Sequence, residues 1–201
     1  MEKYVELIVG AVAAMIIMIL HELPKSIAYL VMSEKQIKEN SKILKLWNYI
    51  DPVGVLFAVV SYAPFSKPYM YRVNKRRTNA VLGMVGFLIL FLIYFGGILI
   101  LRSQFGGFEG LQKLEELGVS YRLVVGLFLY YFCIMSFGMV MVNLFPVSTF
   151  DMGLLIAAKS PSKYLGIIEN DNKIKLILIF VLIFEIIRLE AGFLTQYFLT
   201  L

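Results

Sequence analysis

AVLGMVGFLILFLIYFGGILIL, residues 80–101, contains no charged residue and no proline. As a helix, at 1.5 Å per residue, it would reach about 33 Å, enough for the roughly 30 Å hydrocarbon core of a bilayer. Other long apolar runs lie at 4–32, 123–150 and 174–201. Of the 201 residues, 60% are hydrophobic and 16% charged, and the mean hydropathy is +0.80. Soluble domains sit near half apolar and about a quarter charged. The composition therefore excludes a disordered chain, a disulfide scaffold and an ordinary cytosolic enzyme. An all-α integral membrane protein is expected, one domain over 1–201 with about four transmembrane helices. The single cysteine, Cys133, rules out an internal disulfide and a cysteine-based zinc cluster. Its apolar neighbours predict a packing role.

The first run is too long for a signal-peptide core and lacks a small-residue cleavage site, so it is expected to stay as a membrane helix. Residues 33–48 are polar and lysine-rich, and read as a short surface helix or loop. Residues 50–65 are apolar but short, bounded by Asp51-Pro52 and Ala63-Pro64, with a β-rich centre over 53–60. That length suits a re-entrant or β-like segment better than a span. Residues 102–122 and 159–175 read as polar and charged loops, and 174–201 as one long helix or a span with an interfacial tail. Gly10 and Ala14 form a small-xxx-small pair. Glu185 and Arg188 have the spacing of an i,i+3 ion pair.

Charge sets the expected orientation. If 50–65 does not cross, one side holds Lys35, Lys38, Lys42, Lys45, Lys67, Arg72, Lys75, Arg76 and Arg77, together with Lys159, Lys163, Lys173 and Lys175. The other side holds Lys3, Arg102, Lys113, Arg122 and Arg188, and Lys25 falls within the first span. The thirteen-to-five bias places 33–79 and 159–175 in the cytoplasm. The net charge of +5 is explained by the same rule, and no nucleic-acid partner is expected.

Ionisable residues inside membrane helices mark functional candidates. Two clusters qualify, both toward the cytoplasmic face. One is His21-Glu22-Leu23-Pro24-Lys25 in the first run; the other is Asn143-Leu-Phe-Pro146-Val-Ser-Thr-Phe-Asp151-Met152-Gly153 at the end of the third. His21 is the only histidine in the chain. Read alone, His21 fits a hydrogen-bonded core residue, Pro24 a helix kink, Asn143 and Pro146 a helix break, and Asp51 a cap before Pro52.

In order and spacing, these clusters resemble the site-2 protease family of intramembrane zinc metalloproteases. That family carries His-Glu-x-x-His on one membrane helix, and Asn-x-x-Pro followed by Leu-Asp-Gly on another. Tyr49-Ile-Asp51-Pro52-Val-Gly54 is similar to its Asp-Pro-x-Gly stretch. Ser66-Lys67-Pro68-Tyr-Met-Tyr71-Arg-Val-Asn74 is similar to its Ala-Lys-Pro-Val-Pro-Val-Asn loop. Ala80-Val-Leu-Gly83-Met84-Val-Gly86 stands where members have Leu-Ala-Gly-Pro. The likeness covers a core of about 4–160.

The resemblance implies His21 and Asp151 as zinc ligands and Glu22 as general base, with Asn143 holding substrate or transition state. Asp51, Pro52, Gly54 and Pro146 would line a substrate groove. Zinc so bound lowers the pKa of its water to around 7 and supplies hydroxide. The chain departs from the pattern at Lys25, which takes the second histidine's place, and at Met152 and Met84. A protonated lysine has no lone pair for a metal. No zinc is expected here.

Three functions follow as expectations. The first is a pseudoprotease in the plasma membrane of a prokaryote, its site toward the cytoplasm, binding a membrane segment or hydrophobic peptide without cleaving it. The second is an active intramembrane zinc metalloprotease with an atypical ligand set. The third is a membrane transport or export component. On the topology above, single cysteines placed at Lys42 and Lys75 should both react with an impermeant thiol reagent from the cytoplasmic side only. Labelling from opposite sides would show that 50–65 crosses.

Overall fold

The computed structural model describes residues 2–32, 43–68, 75–118 and 120–200. Lys35, Lys38, Lys42, Arg72 and the 69–74 part of the loop likeness lie outside these. Among the described residues every regular element is helical. In chain order they are α1 (Glu2–Met32), a 3-10 turn (Leu46–Tyr49), α2 (Pro52–Ser61), α3 (Arg76–Phe105) and α4 (Gly107–Glu116). Then follow α5 (Tyr121–Asn143), α6 (Asp151–Lys159), α7 (Pro161–Ile183) and α8 (Ile186–Thr200).

Three helices, α1, α3 and α5, are long and apolar enough to cross a bilayer. They pack on one another around Ala13, Ala14, Ile17, Leu90, Ile134, Met135 and Met139, all essentially buried. Gly10 and Ala14 both turn inward, and Gly10 lies against Met135. Small residues there let helices approach closely, which matters because lipid offers no hydrophobic drive for helix association. The outer faces stay apolar: Leu88, Leu92 and Leu99 of α3 are more than half exposed. A helix that is apolar all round suits an apolar surrounding.

The segment 50–65 is helical at its centre, not β-like. Asp51 Oδ1 accepts hydrogen bonds from Val53 N (2.9 Å) and Gly54 N (3.2 Å), and Pro52 takes the first helical position. A capping aspartate followed by proline starts a helix, and here it outweighs the β-branched residues that follow. Helix α2 ends at Tyr62, at positive φ, and the chain turns back. Lys67 N then donates to Tyr49 O at 3.0 Å, so the segment leaves beside the point where it entered.

The other loops and runs also need correction. Residues 102–122 contain the end of α3 and all of α4, whereas α5 stops at Asn143, where the sequence places the helix break. Most of 159–175 is the first half of α7, launched by Pro161 at its first position. The C-terminal run is not one long helix. It breaks at Phe184-Glu185, where Glu185 has φ 55°, into α7 and α8. Asp171 of α7 accepts from Ser148 N (2.9 Å) and pairs with Lys175 (2.6 Å), tying α7 to the turn after α5. Burial pushes its carboxyl up, but these bonds win and hold it below the ordinary aspartate value.

Backbone approach between α5 and the end of α2 is tight. A Cβ on Gly138 would overlap the Tyr62 carbonyl, whereas one on Gly96 would meet nothing within 4 Å. Gly138→Ala should therefore destabilise the protein by about 1–3 kcal/mol. Gly96→Ala should be neutral or slightly stabilising, since alanine is the better helix former. Thermal unfolding of both variants in detergent measures the contrast.

Candidate functional site

Pro24 lies inside α1 but does not end it. The helix therefore carries His21, Glu22, Lys25 and Ser26 as adjacent members of one buried cluster, each no more than 2% exposed. From the other side, α6 begins at Asp151, which is fully buried. The turn between α5 and α6 sets its position: Asn143 Nδ2 donates to Met139 O (2.9 Å), and Asn143 Oδ1 accepts from Asp151 N (3.3 Å). Both ends of that amide are thus engaged within the chain. Gly86 of α3 supplies the space, because a Cβ there would overlap the Asp151 carboxylate.

The two clusters meet. His21 Nε2 donates to Asp151 Oδ2 at 2.7 Å, and Lys25 Nζ lies 2.6 Å from Asp151 Oδ1. Lys25 Nζ also donates to Glu22 Oε1 at 3.1 Å. On the far side of the imidazole, Nδ1 lies 3.1 Å from Glu22 Oε1 and 3.2 Å from Ser66 Oγ. Ser66 Oγ spends its own proton on Glu22 Oε1, at 2.8 Å. Both ring nitrogens are thus engaged, one by the Asp151 carboxylate and the other by Glu22 and the Ser66 hydroxyl. The Lys25 ammonium lies between the two carboxylates.

Ser66 is the member that sequence reasoning missed. Serine carries no signal of its own, and it arrives through the return of the chain after α2. Its place at the head of the Ser66-Lys67-Pro68 likeness was the available clue. The proposed groove residues are not in the cluster's contacts: Asp51 caps α2, Pro52 starts it, Gly54 is buried within it, and Pro146 is half-buried in the turn after α5.

The donor set does not fit zinc. Two ligands of one tetrahedral zinc stand about 3.3 Å apart, but His21 and Asp151 are in direct hydrogen-bond contact. An ammonium offers no lone pair, and Lys25 already lies within ion-pair distance of both carboxylates. Among the described residues, no group of three histidine, cysteine, aspartate or glutamate side chains is disposed to hold a metal ion. Comparison of the chain with protein-family models, curated proteins and solved structures finds no match.

Removing one partner of a buried ion pair leaves an uncompensated charge, at about 3–5 kcal/mol. Lys25→Met keeps the length of the side chain and deletes the charge. It should lower stability by about that amount, with Lys25→Arg intermediate. Denaturant titration in micelles reads the difference; equal stability of Lys25→Met and the parent would mean that the ammonium is not part of the interior charge balance.

Proposed function

We propose that this chain is a membrane-embedded pseudoprotease on the site-2 protease pattern: it holds a membrane segment or hydrophobic peptide and does not cut it. The observation that carries the proposal is Lys25, whose ammonium lies between Glu22 and Asp151 where the family pattern has a second histidine. Glu22, the base of the pattern, is bound by Lys25 and Ser66 and has no open side from which to activate water. The cluster keeps the relationship between two distant parts of the chain and substitutes an organic cation for a metal. Its residues hold a frame; they do not move a proton.

The same proposal includes four crossings, with α7 and α8 together making the fourth. Support comes from the neighbours of that pair. Ile187 packs with Val142 near one end of α5, and Leu199 packs with Leu101 and Leu111 near the other. It also includes re-entry of 50–65, supported by the Lys67–Tyr49 hydrogen bond. The charge bias supports a site turned toward the cytoplasm; the plasma membrane of a prokaryote is the setting the proposal assigns.

Protein purified without chelators and without added metal should contain far less than one zinc per chain by elemental analysis. It should leave a panel of fluorogenic membrane-segment peptides intact. Lys25→His should raise zinc content under the same conditions, with or without activity. One zinc per chain in the unmodified protein, together with chelator-sensitive cleavage, overturns the proposal.

A further inference from the structure

A second charged group lies away from the His21 cluster, where the end of α2 meets the break between α7 and α8. Arg188 Nη1 bonds Glu185 Oε2 at 3.1 Å and reaches Val60 O at 3.4 Å. Its guanidinium carbon sits 4.9 Å from the centre of the Tyr62 ring. Tyr62 and Glu185 are the two non-glycine residues with positive φ among those described, and both belong to this group. Such backbone costs about 1–3 kcal/mol per residue and persists only where surroundings enforce it.

The position matters more than the contacts. Tyr62 O lies against Gly138 of α5. Gly138 is five residues inside the Asn143 end of that helix, about 8 Å along its axis. The end itself is not at the layer's edge, because Asp151, bonded to Asn143, packs against Gly86, well within the apolar stretch of α3. With α1, α3 and α5 taken to cross the bilayer, the pair lies within the apolar layer, and Arg188 is not among the far-side charges where the charge count places it. Yet Arg188 is 41% and Glu185 43% exposed. An arginine near a membrane surface snorkels outward; this one is held in place by Val60 O and the Tyr62 ring.

The chemistry left over is specific. Among the described residues Arg188 bonds only through Nη1. Its Nε and Nη2 protons remain as donors, and Glu185 retains acceptor sites. The pair is neutral as a whole, so a charged partner would add net charge to the layer. A neutral group with one donor and one acceptor, a carboxamide, fits without that penalty. The surrounding surface, Phe184, Ile186 and Leu189, is apolar and exposed, as a helix partner requires.

We propose that the Tyr62–Glu185–Arg188 face is a docking surface for a partner membrane helix carrying an asparagine or glutamine side chain. This names the class of segment bound, and it rests on the membrane-segment-binding function above. The surface selects by hydrogen bonding inside the apolar layer. It lies away from the His21–Asp151 cluster and needs nothing from it.

The test uses the full chain in phosphatidylcholine vesicles and two synthetic leucine-alanine membrane helices, identical except for a central asparagine or leucine. Energy transfer between labelled chain and labelled helix reports association. The asparagine helix should bind about fivefold or more tightly than the leucine helix, the scale of one interhelical hydrogen bond in a membrane. The double variant Glu185→Leu/Arg188→Leu, which leaves net charge unchanged, should bind both alike. Leu189→Trp, an exposed change that leaves the ion pair in place, should weaken binding of the asparagine helix and guards against misfolding of the double variant. Equal binding of both helices by the parent, or a preference that survives in the double variant, overturns the proposal. So does self-association of labelled chains that the double variant abolishes, since the occupant is then a second copy. Zinc measured on the same preparations separates the two proposals. A zinc-bearing chain that still prefers asparagine sinks only the pseudoprotease, and a zinc-free chain without preference sinks only this surface.

Discussion

Charge taken out of water must be answered by charge, and in this protein the answer spans the chain. Glu22 and Asp151 come from elements 129 residues apart in sequence and share one ammonium, that of Lys25. Each neighbouring feature serves that arrangement. The turn after α5 brings Asp151 to α1, Gly86 clears the space for its carboxylate, and the return from α2 brings Ser66 to Glu22. A helix bundle held mainly by dispersion in lipid has many nearly equivalent packings. A buried ionic cluster with few allowed geometries selects among them.

The parts of the fold written as local pattern were legible in the sequence. The apolar run at 80–101 became α3, and the Glu22–Lys25 spacing became an ion pair on one helix face. Glu185 and Arg188 paired as their spacing predicts, and Asp51 capped the helix that follows it. The meeting of Asp151 with His21 was anticipated only through the order of motifs, since nothing local to either residue encodes it. Asp51-Pro52 and Ser160-Pro161 are both helix starts, but the valines after the first and the lysines after the second point to a strand and a loop when read alone. The charges at Arg188 and Glu190 interrupt the last apolar run, but neither glycine nor proline stands there to fix the break at Glu185.

The two charged groups also differ in kind. Around His21 every charge is turned inward and partnered, at 2% exposure or less. Around Arg188 the pair is half open, and the backbone on both sides is held at unfavourable φ. The first has the character of a keystone and the second that of a contact surface. In an aqueous protein an exposed ion pair would pass as ordinary surface polarity.

The order in which the chain is made gives the first cluster a timetable. Helix α1 leaves the ribosome with Glu22 and Lys25 already spaced to pair with each other. His21 must wait for Asp151, 130 residues later. At about 5–20 residues per second that is roughly 6–26 s of synthesis. Only when the turn past Asn143 is complete does the last carboxylate arrive and lock the first helix to the rest, so the earliest part of the protein to be made is among the last to be finished.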